Sequence, residues 1–139
     1  MEDTKSETDS SLEAQIRLVI GHFDDFVNHR DLGAIDRNMT IDFVDHDGPG
    51  GKMVGREADR AMMAKMHEMF PDLHVEVTHA VAQADKVIVR NLWTGTNAAT
   101  GDAIEFHGFV MWRIEGGKIA ERWATVTPIQ KVTAEALKW

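Results

Sequence analysis

The chain has 139 residues, 43% hydrophobic and 27% charged, with a formal net charge of -8 and no cysteine. That length allows one domain around a single core, and the acidic balance makes a phosphate backbone an unfavourable partner, so no nucleic acid is expected. The lack of cysteine excludes disulfides, thiolate nucleophiles and cysteine-based metal sites, and makes a reducing, cytoplasmic setting the default expectation.

The opening MEDTKSETDSS has no apolar stretch of the signal-peptide kind, and no apolar run approaches membrane-spanning length, so no membrane partner is expected. Met1 to Asp9 reads as a polar, disordered tail and residues 10–139 as a single domain. Ser10 and Glu13 have capping-box spacing. Behind them Leu12, Ile16, Val19, Ile20, Phe23, Phe26 and Val27 recur at helical intervals. HRDLGAIDRNMT predicts a turn and a short helix that buries Leu32, Ile35 and Met39. TIDFV is expected as a brief strand running into Asp45-His46-Asp47, and GPGGKMVG as a loop. A second long helix starts near Arg56, carries Met62, Met66, Met69 and Phe70 on one side, and stops at Pro71.

After Pro71 the period changes from helical to alternating. Leu73, Val75 and Val77 alternate with His74, Glu76 and Thr78, and further strands are expected over Val87 to Gly95, Ala103 to Ile114 and Ile119 to Thr127. Glu115-Gly116-Gly117-Lys118 reads as a tight hairpin, and the tail ending in Lys138-Trp139 as a helical turn. Helices followed by hairpin-connected strands form an α+β pattern, in which a strongly curved, mostly antiparallel sheet wraps around the apolar faces of the helices.

Alternation also sorts the chemistry-bearing side chains. Ile104, Phe106, Gly108, Val110, Trp112 and Ile114 share a wholly apolar face that should meet the helices. His107 then points outward, as a surface or subunit-contact residue. On the last strand Arg122 shares a face with Ala120, Ala124 and Val126, so it requires either a carboxylate or anionic partner or a route to solvent at the sheet rim. Trp93 and Trp112 could line a pocket or simply fill the core.

Several chemistries lack their residues. No histidine pair has metalloprotease spacing, and Asp45-His46-Asp47 in extended chain points to opposite faces, so no metal is expected. There is no Gly-x-Ser-x-Gly elbow and no phosphate-binding loop. General acid–base work needs only one titratable group in a dry cavity. His46 is a candidate, oriented by Asp45 or Asp47; the alternative is that the three residues merely end a strand.

The segments DFVDHD (Asp42 to Asp47), GRE (Gly55 to Glu57), MFPDLHVEV (Met69 to Val77), DKVIVRNLWTGT (Asp85 to Thr96) and RIEGGKIAERW (Arg113 to Trp123), in this order and spacing, resemble the SnoaL-like polyketide cyclases of the NTF2-like superfamily. The resemblance implies a conical α+β barrel with a cavity between helices and concave sheet, and a homodimer formed through the sheet. It also implies cofactor-free ring closure, with an aspartate as acid/base. Here Ala124 stands at the position of that aspartate, Val110 where a histidine is expected, and Arg122 where the last-strand motif has its histidine. The expectation is therefore a protein that binds a hydrophobic, carbonyl-bearing small molecule without a cofactor. His46, Asp45 and Arg122 would be its catalytic groups, and Phe23, Met66, Trp93, Val110, Trp112 and Ala124 its binding wall. A non-catalytic ligand-binding module or a dimeric scaffold is the alternative.

Overall fold

The computed structural model describes residues 2–132, so the helical turn expected at Lys138-Trp139 lies outside the described residues. Helix α1 (Glu2–His22) starts upstream of the Ser10 cap and continues through most of the segment read as a tail. At its end the winding loosens into one π-helical stretch, Phe23–Asn28, whose buried residues are Phe23, Phe26 and Val27. These three side chains, spaced by three and four residues, share the face that packs into the core. Helix α2 (Ala34–Asn38) is short, and Ile35 and Met39 around it are fully buried, as the spacing predicts.

Strand β1 (Met39–Gly48) runs through the whole Asp45-His46-Asp47 segment, and β2 (Gly51–Val54) returns beside it. The loop expected over GPGGKMVG is thus a hairpin. Pro49-Gly50 makes the turn, and Gly51 takes a φ of 106°, which an L side chain would resist. Helix α3 (Arg56–Met69) follows, then β3 (His74–Gln83), β4 (Lys86–Thr96), β5 (Ala103–Glu115), β6 (Lys118–Val126) and the two-residue β7 (Gln130–Lys131).

The seven strands form one unclosed sheet in the order β2-β1-β6-β5-β4-β3, with β7 added beside β5. All pairs are antiparallel except β1 with β6, so the sheet is mixed where β6 lies beside the first strand. Gly116 and Gly117 both have positive φ (57° and 78°), the geometry of the two-residue turn that matches strand twist.

The core lies between the helices and one face of the sheet. Val87, Val89 and Trp93 of β4 and Ile104, Phe106, Val110, Trp112 and Ile114 of β5 are buried there against Val19, Phe23, Phe26 and Val27. Two side chains tie helices to strands by polar means. Asn28 both donates to and accepts from the Val75 backbone, at 3.0 and 2.8 Å, and Arg56 Nη1 donates to the Met39 carbonyl at 3.0 Å. These contacts hold the π-helical stretch and the start of α3 over the sheet.

Candidate active site

Where α1, the π-helical stretch and α3 cross the concave face, they leave a cavity of about 50 Å³. Its wall includes His22, Phe23, Phe26, Asp45, Asp59, Met62, Met63, Trp93, Trp112 and Arg122. Phe23, Phe26, Trp93 and Trp112 contribute aromatic rings to it. Phe23 meets Trp93 and Trp112 edge-on, at centroid distances of 6.0 and 5.5 Å, and Trp93 stacks on Phe106 at 5.2 Å.

The parallel pairing of β1 with β6 places Asp45 directly beside Arg122, with both side chains on the inner face. Arg122 Nη1 lies 2.9 Å from each Asp45 oxygen, and the Asp45 side chain is 1% exposed. Asp45 Oδ1 also accepts the Asp47 N–H at 3.0 Å, so the carboxylate is held from two sides. The guanidinium sits 5.6 Å from the Trp112 ring centroid. Among the described residues its hydrogen bonds all use Nη1, which leaves the Nη2 and Nε donors for another oxygen.

Asp59 faces this pair from α3. It is 6% exposed and makes no hydrogen bond to a described residue. Burial pushes its carboxyl up to about 7; the Arg122 charge opposes that rise and the Asp45 charge adds to it. Asp59 therefore exchanges its proton near neutral pH, which is the property a general acid/base requires.

His22, from the end of α1, is 3% exposed and stacks on Phe26 at 4.9 Å. Its Nδ1 lies 3.0 Å from Asn38 Nδ2, while Nε2 is buried with no partner among the described residues, as is Trp112 Nε1. Burial, with the Arg37 charge in support, pushes the imidazole down to about 4, so the ring is neutral under ordinary conditions.

The structure brings together five of the residues expected from sequence: Asp45, Arg122, Phe23, Trp93 and Trp112. Met66 instead packs against the core, and its place on the wall is taken by Met62 and Met63. Val110 is buried in the core and Ala124 packs against it, but neither lines the cavity. His46 is turned to the opposite face of the sheet. Its Nε2 lies 2.8 Å from Glu121 Oε2 and its ring stacks on Trp123 at 4.9 Å, with Glu121 also accepting from Arg113 Nε at 2.6 Å. Strand alternation is the reason: Asp45 points inward, so its neighbour points out.

Sequence reasoning misses Asp59 and His22, although each carries a signal. Asp59 precedes Met62 and Met63 by three and four residues, and His22 lies three residues after Val19 and four before Phe26. Both are polar groups set in an apolar helical stripe. Asp24, Asp25 and His29 also come close to one another, but they are largely solvent-facing and line no part of the cavity; exposed acidic groups of this kind are common without an ion.

The family model of the SnoaL-like polyketide cyclases matches residues 17–130. No curated protein matches the chain. Among solved structures, AclR of Streptomyces galilaeus is similar at 23% identity and a TM-score of 0.73, over 84% of this chain and 90% of that one. IdmH of Streptomyces antibioticus is similar at 25% identity and a TM-score of 0.72, over 81% and 91%. A SnoaL-like polyketide cyclase of Agrobacterium tumefaciens has the same fold at 19% identity and a TM-score of 0.70, over 81% and 91%. The helices on a curved, unclosed sheet and the match across most of the chain agree: the protein belongs to the SnoaL-like polyketide cyclase family, with the NTF2-like α+β fold.

Proposed function

We propose that the protein binds a hydrophobic carbonyl compound in the inner cavity and moves a proton on it, as a cyclase or isomerase does. The observation that carries this reading is Asp59, a buried carboxyl without a hydrogen-bond partner among the described residues, which faces an arginine across aromatic walls. In it Asp59 takes a proton from carbon next to the carbonyl and later returns it, while the open donors of Arg122 hold the oxygen on which negative charge develops. Asp45 is a positioning residue that holds Arg122. The role expected of His46 passes to Asp59, which supplies on α3 the acid that Ala124 does not supply on β6.

The direct test follows exchange of α-protons for deuterium by NMR, using a panel of cyclic and aryl ketones, β-diketones and polyketide-like aromatic compounds. The wild type should catalyse exchange with a rate that rises through pH 7, and Asp59→Asn should abolish it. Binding without exchange across the whole panel would instead favour a non-catalytic ligand-binding module, the reading supported by Ala124.

Homodimerisation through the sheet and a cytoplasmic site of action belong to the same proposal. Ile88, Phe109, Met111 and Trp123 line a groove of about 280 Å³ on the outer face, with Phe109 57% exposed, and a second copy of this face would cover them. The cysteine-free composition supports a reducing compartment, and no helix among the described residues is long and apolar enough to cross a membrane.

A further inference from the structure

Proton transfer by Asp59 uses a carboxyl and a guanidinium and leaves the most deeply buried titratable ring of the cavity wall without a task. His22 is 3% exposed, and its Nε2 has no partner among the described residues. A buried N–H without a partner costs roughly 1–3 kcal/mol, so either something pairs with it or the fold carries that cost. An apolar side chain of the same size would stack on Phe26 without it. The other ring nitrogen decides the chemistry. Asn38 Nδ2 lies 3.0 Å from Nδ1, and an amide N–H donates, so Nδ1 accepts and the ring proton resides on Nε2.

We propose that His22 is a substrate-binding donor: its neutral imidazole gives the Nε2–H to the carbonyl or enol oxygen, with Asn38 fixing the tautomer. The proposal rests on the cavity being the ligand site and deepens it by naming the ligand class. The cavity lining then offers N–H donors from His22 and Arg122 and the carboxyl of Asp59, among aromatic side chains. Their complement is a planar molecule bearing an oxygen that accepts from the donors, with an acidic C–H or O–H directed at the carboxylate: an enolisable ketone, an enol or a phenol. Burial keeps the ring uncharged, which suits it to hold an oxygen as it gains charge without passing on its own proton. Trp112 Nε1, buried and equally unpartnered among the described residues, belongs to a side chain that lines the same cavity.

The test uses 4-nitrophenol, whose phenolate absorbs in the visible and mimics an enolate oxygen. Three variants accompany the wild type: His22→Phe, which keeps an aromatic ring without the donor; His22→Gln, which restores an amide N–H; and Asn38→Asp, which accepts from Nδ1–H and so moves the proton away from Nε2. Long-range 15N–1H correlation of the wild-type imidazole should place the proton on Nε2. Bound 4-nitrophenol should ionise at lower pH than the free dye. His22→Phe and Asn38→Asp should each bind it roughly tenfold more weakly, the loss expected for one hydrogen bond to a charged oxygen, and His22→Gln should recover part of that.

A proton on Nδ1 in the wild type, unchanged binding by His22→Phe, or no binding of the dye by the wild type would each overturn the proposal. Failure of deuterium exchange alone removes the chemistry given to Asp59 while leaving the dye result and the imidazole tautomer as found.

Discussion

Asp59 is the residue on which stability and function pull in opposite directions. In the unfolded chain its carboxyl has an ordinary value near 3.8, and in the fold burial pushes it up to about 7. Between those values the folded state holds a proton that the unfolded state has released, so stability falls as pH rises from about 4 to about 7. Above pH 7 the ionised Asp59 costs the fold on the order of 4 kcal/mol. Asp59→Asn should therefore raise stability most at pH 8 and converge with the wild type near pH 4, read by urea unfolding at both values. An effect of the same size at both would contradict the burial of this group.

His22 acts over nearly the same interval with the opposite sign. Its value falls from 6.5 to about 4 on folding, so its contribution is fully present above pH 6.5 and is lost as pH falls through 4. The Asp59→Asn variant exposes that dependence on its own, with stability that rises from pH 4 to 6.5. Asp45 is fully buried against Arg122. Asp45→Ala should cost about 3–5 kcal/mol at pH 7 by leaving the guanidinium buried without its partner, and Arg122→Met with Asp45→Leu should recover much of that loss.

At the scale of elements, strands are far more legible than helix faces. A strand has a period of two, so the wholly apolar face of β5 settles its inward set directly. On β6, where both faces carry apolar residues, alternation groups Arg122 with Ala120 and Ala124 but leaves open whether it turns inward or reaches solvent at the rim. The β6 alternation slips only where an irregularity between Arg113 and Ile114 buries both Ile119 and Ala120. The same period turns His46 outward, but the short apolar run before it does not show which of Asp45 and His46 points in. A helix face spans a wide arc, and the run of methionines on α3 admits more than one choice of face. The stripe expected through Met62, Met66 and Met69 is rotated in the fold. Met63 is 4% exposed, Met69 is 43% exposed, and Asp59 shares the buried side. The hydrophobic pattern hides Asp59 because a carboxylate counts as a solvent residue until its burial is seen.

That rotation makes a direct comparison. Met63→Ala should cost about 2–5 kcal/mol by opening a void in a packed wall, and Met69→Ala should stay within about 0.5 kcal/mol, both measured by chemical unfolding. Equal costs would restore the face read from sequence. The same flexible thioethers bear on ligand entry. The cavity of about 50 Å³ is well below the several hundred that a drug-sized molecule fills, so Met62 and Met63 must swing for one to enter.

For the whole molecule, the decisive quantity is how the outer face of the sheet balances apolar area against charge. Ile88 and Phe109, 41% and 57% exposed, lie on the side of the sheet away from the helices, together with the His46–Trp123 stack and the Glu121–Arg113 pair. A dimer through this face buries those rings, yet it brings together two chains of formal charge -8. Apolar burial does not weaken with ordinary salt, whereas repulsion between like-charged chains is screened by it. Dimerisation through the sheet should therefore tighten as sodium chloride increases, the reverse of an assembly held by ion pairs. Light scattering or sedimentation across a salt series gives the sign. Phe109→Glu should yield a monomer with an unchanged circular dichroism spectrum, because the substitution removes an exposed aromatic ring and adds a negative charge to each chain at the interface. A wild type that is monomeric at high salt and high concentration, or a Phe109→Glu variant that stays dimeric, would move the interface elsewhere.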